Sequence, residues 1–189
     1  MVTTDFLVIG GGIIGLNVAR HLKKEYTDAT VTLIEKEPNC GTHASGRNSG
    51  VLHAGFYYSP DSLKAKFTKL GNNQLPEYCQ SKNIPINKCG KLVVAKDCNE
   101  HPALDELLRR GQANSIDLRD ISEKEAKSIE PRVKTCQRAL FSPTTSTVDP
   151  KKVLQAMTQD AFNEGVQVQC GVQYHLKKKR KHSHIKRYI

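Results

Sequence analysis

Along the first 35 residues the apolar pattern changes period twice. Asp5-Phe-Leu-Val-Ile-Gly10 carries an unbroken apolar run, which predicts a short strand buried on both faces, as in the centre of a parallel sheet. From Ile13 the apolar positions shift to helical spacing (Ile13, Leu16, Ala19, Leu22), predicting an amphipathic helix to about Tyr26. Thr30-Val-Thr-Leu-Ile-Glu35 returns to strand character, with β-branched residues through its first half. Strand, helix and strand within so short a span predict a βαβ unit.

Beyond Glu35 the pattern loosens. Residues 36–59 are rich in Gly and Ser and predict mostly loop. Pro60 to about Ser81 predicts a helix with Leu63, Phe67 and Leu70 on one side, kinked or divided at Pro76. Lys88–Ala95 holds a strand, KLVVA, and His101–Asn114 a helix. Ser122–Ile129 predicts a short helix in which Ser122 and Glu125 fit a capping box, stopped by Pro131. Ala139–Ser142 and Thr147-Val148 predict strands. Asp149-Pro150 is a helix start, a capping side chain followed by proline at the first helical position. That helix turns Val153, Leu154, Met157 and Ala161 inward and ends at Gly165. Val166–Tyr174 predicts a final strand, and no internal repeat is visible.

The chemistry concentrates where the first strand meets the first helix. Gly10-Gly11-Gly12-Ile13-Ile14-Gly15 reads GxGxxG, and Glu35 follows twenty residues after Gly15. A glycine motif alone is weak; one that leaves a strand, opens a helix and is trailed by an acid at the end of the next strand is a dinucleotide fingerprint. Gly10 permits the tight turn, Gly12 lets a pyrophosphate approach the backbone, and Gly15 lets helix and strand pack closely. The helix start offers N–H groups and a positive dipole end to phosphate. Glu35 accepts from ribose hydroxyls and repels a 2′-phosphate. The competing reading is a glycine-rich turn with a surface Glu.

Composition changes this picture little. Apolar residues make up 38% of the 189, enough for a packed core, and no apolar run is long enough to span a bilayer. The net charge of +10 suggests nucleic acid, but seven of the positive charges lie in KKKRKHSHIKRYI, residues 177–189, and removing seven from +10 leaves +3. No aromatic platform accompanies them, so nucleic acid is not an expected partner. The tail reads as a disordered basic end, with a nuclear address or a membrane-surface patch as alternatives. Six cysteines (Cys40, Cys79, Cys89, Cys98, Cys136, Cys170) include no CxxC pair. Their scatter argues against metal ligation and a disulfide framework, so no metal site is expected and a reducing compartment fits.

One stretch separates FAD from NAD. After the second strand, His43-Ala-Ser-Gly-Arg-Asn-Ser-Gly50 stands where a soluble NAD dehydrogenase runs into its next helix. Small residues let backbone lie against a large planar cofactor; Ser45, Asn48 and Ser49 can donate to phosphate or ring carbonyls; Arg47 can pair with phosphate or an acidic substrate. Together GxGxxG with Glu35, SGRNSGVLHAGFYYSPDSLKAKF, CGKLVVA and STVDP, in this order, resemble the FAD-dependent D-amino-acid-oxidase-like superfamily, and within it the L-2-hydroxyglutarate dehydrogenase family. The likeness covers about residues 4–176. Arg47 stands where that family more often has His.

The resemblance implies an α/β fold: a Rossmann-like FAD-binding domain with part of an α+β substrate domain, the N-terminal part of a longer, here truncated, protein. Residues 1–86 would form the FAD-binding βαβ unit and flavin loop, 87–148 part of the substrate domain, 149–176 the return to the FAD domain, and 177–189 the basic tail. Gly10, Gly12, Ile13, Ile14, Gly15, Glu35 and Lys36 would hold the ADP part of FAD. Ser45, Arg47, Asn48 and Ser49 would follow the pyrophosphate and ribityl chain, Gly50, Val51 and His53 would approach the flavin ring, and Val172 or Tyr174 would lie by the adenine. The implied reaction is hydride removal from a small 2-hydroxy acid, L-2-hydroxyglutarate, to flavin N5, with an unidentified electron acceptor. The implied alternatives are an amino acid or glycerol 3-phosphate as substrate, or an inactive FAD-binding fragment. His53 and Arg47 are the catalytic candidates; His53 is otherwise a structural histidine, and Tyr57 and Tyr58 either line the pocket or simply pack. Lys64 and Lys66 read as solvated helix charges. Covalent attachment of flavin to His43, His53 or Cys40 stays open. The resemblance also implies a mitochondrial protein if eukaryotic, with peripheral membrane association as an option, although no Arg-rich presequence is visible and a cytoplasmic location is the alternative.

Overall fold

The computed structural model describes residues 3–175, so the basic stretch 177–189 lies outside the described residues. The chain divides into two compact units, one of Met1–Ser45 with Met157–Ile189, the other of Gly46–Ala156.

The first unit is built on the predicted βαβ. Strand β1 (Phe6–Ile9) leads through α1 (Ile13–Glu25) to β2 (Val31–Glu35), which runs parallel to β1 with Phe6 opposite Val31 and Ile9 opposite Ile34. Strand β9 (Gln167–Cys170) adds in parallel on the far side of β2, with Glu35 opposite Cys170, so the order is β1-β2-β9. β2 is therefore the central strand and all five of its residues are buried. Its polar Thr32 is satisfied by the Thr4 hydroxyl at 3.0 Å. The expectation that β1 is the central strand is corrected. Among the described residues β1 pairs only with β2, and its alternate residues Leu7 and Ile9 are 46% and 57% exposed. An apolar run records a strand's capacity for burial on both faces, not the neighbours that realise it.

Helix α1 buries Leu16 and Ala19 and presents Arg20 to the far end of α5 (Pro150–Asn163). The guanidinium meets Glu164 in a two-pronged ion pair, 2.9 Å from Nε to Oε2 and 2.7 Å from Nη2 to Oε1, and lies 3.4 Å from Asp160. Asp149 accepts from the Lys151 N–H at 2.9 Å, the predicted cap of α5. Gly165, at φ +89°, closes the helix with a conformation that favours glycine, and the Val166 N–H returns to the Ala161 carbonyl.

The second unit holds two small antiparallel sheets. One orders β3 (Val51–Leu52), β8 (Ser146–Val148) and β4 (Ile86–Asn87); the other orders β5 (Lys91–Val94), β7 (Arg138–Ser142) and β6 (Arg119–Ser122). Strands β3, β4 and β6 escape the hydrophobic pattern, and the predicted last strand shrinks from Val166–Tyr174 to the four residues of β9. Helix α2 (Leu63–Ser81) starts three residues later than expected because Ser62 caps it, its hydroxyl accepting from the Ala65 N–H at 3.1 Å. It runs through Pro76 undivided. Leu63, Phe67 and Leu70 do share a side, but all three are exposed, while Ala65 and Cys79 are buried. Helix α3 (His101–Ala113) packs Leu104 into a core with Ala54, Phe56, Ala95, Leu118 and Leu140. Helix α4 (Glu123–Ile129) carries the predicted capping box, with Ser122 and Glu125 satisfying each other's backbone N–H groups.

Candidate functional site

In the first unit the glycine turn is held from three directions. The Gly10 N–H donates to the Ile34 carbonyl at 2.8 Å, extending the β1–β2 ladder by one residue. The Gly11 N–H donates to Glu35 Oε2 at 2.6 Å, and the Gly11 carbonyl accepts from the Gly41 N–H at 2.9 Å. Gly10 sits at φ +108°, a conformation side chains resist. A β-carbon on Gly15 would lie 2.0 Å from the Gly10 carbonyl oxygen, so helix and strand approach as closely as the fingerprint requires. A β-carbon on Gly12 would meet the Ser45 hydroxyl oxygen at 3.1 Å.

Gly12 is the N-cap of α1 and offers no side chain for the task, so Ser45 supplies one: its hydroxyl accepts from the Ile13 N–H at 3.0 Å. The first turn of α1 contains no acidic residue, so its positive dipole end stays available to an anion. Ile13 is half-buried and Ile14 exposed. Glu35 is 8% exposed and its carboxylate accepts from two backbone N–H groups, Gly11 at Oε2 and Glu37 at Oε1 (3.0 Å). Each carboxylate oxygen retains a second lone pair for a hydroxyl donor. The Val172 N–H donates to the Glu35 carbonyl at 2.9 Å, which brings Val172 beside the acid. Lys36 and His43 flank Glu37, at 3.8 Å and 2.9 Å from its Oε1. Cys40 Sγ lies 3.9 Å from Cys170 Sγ, and burial pushes the Cys40 thiol up to about 12, so it is protonated at neutral pH.

In the second unit Gly50 closes a tight approach. At φ +66° its amide N–H donates to Asn48 Oδ1 (2.9 Å), its carbonyl accepts from the Val148 N–H (2.9 Å), and a β-carbon would collide with the Val148 carbonyl at 1.9 Å. Val51 pairs with Thr147, and Leu52 with Ser146. The STVDP stretch is thus the antiparallel partner of the GVL stretch, a long-range link between two of the quoted motifs. Arg47, Asn48, Ser49 and His53 are exposed. Partial desolvation of the exposed ring first and the charge of Lys91 second lower the His53 pKa, so its imidazole is neutral at pH 7. Tyr57 stacks tilted on buried Phe56 at 4.2 Å and carries the Lys91 ammonium over its ring at 4.7 Å. Lys64 lies over Tyr58 at 4.5 Å.

The sequence missed one cluster. Cys98, His101 and Cys136 come together in the second unit, with one ligand atom from each within 4.8 Å of the others. The cysteines, scattered in the sequence, are here close in space, because β5 and the turn after it carry Cys98 to Cys136 across 38 positions. The signal that could have found it is the local spacing Cys98-Asn-Glu-His101.

The FAD dependent oxidoreductase family profile matches residues 5–185. The chain belongs to this FAD dependent oxidoreductase family. The GxGxxG turn, the Glu35 strand and the α/β first unit thus belong to a family whose cofactor is FAD. Curated relatives named mitochondrial L-2-hydroxyglutarate dehydrogenase, from Nematostella vectensis and Homo sapiens, are 42% and 40% identical to this member over 164 and 162 residues, each match covering 85% of this chain and 35% of the relative. An Escherichia coli K12 relative of the same enzyme name is 37% identical over 87% of this chain and 39% of its own. The chain therefore spans little more than a third of the length of the curated relatives it matches. Among solved structures, dithionite-reduced L-α-glycerophosphate oxidase from Mycoplasma pneumoniae with FAD bound superposes with a TM-score of 0.80 at 30% identity, over 90% of this chain and 45% of the oxidase. L-proline dehydrogenase from P. horikoshii, at TM-score 0.78 and 23% identity over 89% of this chain and 44% of its own, shares the fold. Among the described residues no helix is long and apolar enough to cross a membrane.

Proposed function

We propose that this chain carries the FAD-binding and flavin-facing elements of a dehydrogenase that oxidises L-2-hydroxyglutarate to 2-oxoglutarate. The observation that carries the reading is sequence identity of about 40% to enzymes of that name, spread over most of this chain. The residues present fit the cofactor: the turn at Gly12 lacks a side chain, the helix behind it lacks an acid, and Glu35 keeps acceptor capacity. Gly10, Gly12, Ile13, Ile14, Gly15, Glu35, Lys36 and Val172 would hold the ADP portion. Ser45, Arg47, Asn48, Ser49, Gly50 and Val51 would follow it toward the flavin ring. The chemistry supplied by bound FAD is acceptance of a hydride from the substrate's α-carbon.

The chain's own residues then divide the remaining work. His53, held neutral by partial desolvation and the charge of Lys91, accepts the proton of the substrate hydroxyl. Arg47, exposed and cationic, orients a substrate carboxylate. An unidentified electron acceptor reoxidises the cofactor. In a eukaryote the protein works in the mitochondrion, as the relatives' names suggest. The 30% identity to a glycerophosphate oxidase favours glycerol 3-phosphate as the second reading.

The test is spectroscopic. The purified chain is incubated with FAD, desalted and scanned, then given L-2-hydroxyglutarate or glycerol 3-phosphate without oxygen. Retained flavin bleached by L-2-hydroxyglutarate is expected. Bleaching by glycerol 3-phosphate alone supports the second reading. Absence of retained flavin refutes cofactor binding by this stretch of the protein.

A further inference from the structure

We propose that Cys98, His101 and Cys136 form a binding site for zinc, a divalent cation suited to two thiolates and an imidazole. Three observations lead there. The first is convergence: Cys98 sits in the 3-10 turn Cys98–Glu100, His101 opens α3, and Cys136 follows α4, yet one ligand atom from each lies within 4.8 Å of the others. The second is the sulfur pair. The Cys98 and Cys136 Sγ atoms are 2.9 Å apart, inside the ~3.5–4 Å of ordinary non-bonded contact between heavy atoms, so the fold presses them together. With zinc–sulfur bonds of about 2.3 Å, tetrahedral geometry separates two sulfurs by about 3.8 Å, so each sulfur need move only about half an ångström.

The third is preparation of the ligands. A ring nitrogen of His101, Nε2, lies 3.0 Å from the Cys136 carbonyl oxygen; donating there leaves the lone pair on Nδ1 and fixes the ring, the arrangement that orients metal-binding histidines. The Cys136 N–H donates to the Ala95 carbonyl at 2.8 Å, and the side chain packs against the core of the unit, so this ligand is anchored. Three protein ligands leave a fourth position for water. Binding is balanced as one Zn²⁺ taken up and two thiol protons released, with no change of oxidation state. The site shares no residue with the glycine turn or the flavin-facing loop, and its role is to clip the start of α3 to the segment after α4.

The experiment titrates Zn²⁺ into the whole chain, reduced with a phosphine and free of oxygen, against a chromophoric chelator, with pH followed in weak buffer. One equivalent held at this site with release of about two protons is expected. Cys98→Ser, an exposed position that leaves the core intact, should weaken binding on the order of 100-fold. Cys136→Ser should do the same and His101→Asn somewhat less, while Cys89→Ser and Cys40→Ser should change nothing. Equal affinity in the original chain and in Cys98→Ser overturns the proposal. So does a reduced chain that takes up no zinc, including one that yields a Cys98–Cys136 disulfide when exposed to oxidised glutathione.

Discussion

Gly15→Ala tests the tightest contact in the first unit. The added methyl would lie 2.0 Å from the Gly10 carbonyl oxygen and 3.2 Å from its carbon. Both atoms are backbone, and Gly10 is tied to β2 through Ile34 at 2.8 Å, so neither side can yield cheaply. Relief requires α1 and β1 to separate by about an ångström, an overpacking cost of ~1–3 kcal/mol or more. Alanine's better helix propensity returns up to ~1 kcal/mol, leaving a net loss of about 1–2 kcal/mol. Gly71→Ala is the control: Gly71 lies inside α2 with nothing within 4 Å of a β-carbon, so the substitution should gain ~0.5–1 kcal/mol. Gly12→Ala separates fold from cofactor, because its methyl meets only the Ser45 hydroxyl oxygen, at 3.1 Å. It should leave stability within ~1 kcal/mol and abolish flavin retention. Urea unfolding followed by circular dichroism ranks the three, with flavin retention measured on each. A Gly15→Ala midpoint equal to that of Gly71→Ala would refute the reasoning, since the two glycines would then be equivalent helix positions.

Arg20→Ala should cost about 2 kcal/mol in the same unfolding assay, because Asp160 and Glu164, with side chains 10% and 24% exposed, would lose their shared cation. Hydrogen bonds from Arg20 hold the Glu164 pKa below the usual 4.5. This contribution is therefore present above pH 4.5 and lost as pH falls through the folded value, so acidification should destabilise the original chain more steeply than Arg20→Ala. In a protein turning over L-2-hydroxyglutarate, the acid limb of kcat/KM should have a midpoint below 6.5, move upward in Lys91→Met, and vanish in His53→Gln; an unmoved limb removes His53 as the base. Ser122→Ala breaks the capping box of α4 and should lower Tm by about 2–4 °C, read by thermal denaturation.

What the sequence disclosed was local. The βαβ unit was legible because strand, turn and helix are each specified by neighbours a few positions away, and the glycines of Gly10–Gly15 stand where backbone approaches backbone. The capping residues of α4 and α5, Ser122 and Asp149, were legible for the same reason. The two-residue strands were not. Val51-Leu52 and Ile86-Asn87 are strands only because β8 lies between them, and β8 comes nearly a hundred residues after the first of them. No window over residues 36–59 contains that information. The exposure of Leu63, Phe67 and Leu70 was equally hidden, since helical spacing shows that residues share a face and not what the face meets.

The same distinction separates the two candidate sites. The dinucleotide site announces itself because its demands fall on backbone: a turn without side chains, a helix start without an acid, an acceptor at the end of the next strand. Such demands leave glycines at fixed offsets. Even there one partner came from farther along. Ser45, which fills the missing N-cap of α1 by accepting from the Ile13 N–H, stands 32 residues away, and the sequence marked it as a phosphate or ring donor without revealing its link to the start of α1. The Cys98–His101–Cys136 cluster makes its demands on side chains, and two of its members are brought together by the pairing of β5 with β7. Its local trace is a single Cys-x-x-His, too common a spacing to read without the fold. Sites assembled from backbone geometry are therefore legible in this chain, and sites assembled from side chains across a sheet become visible only once the register is known.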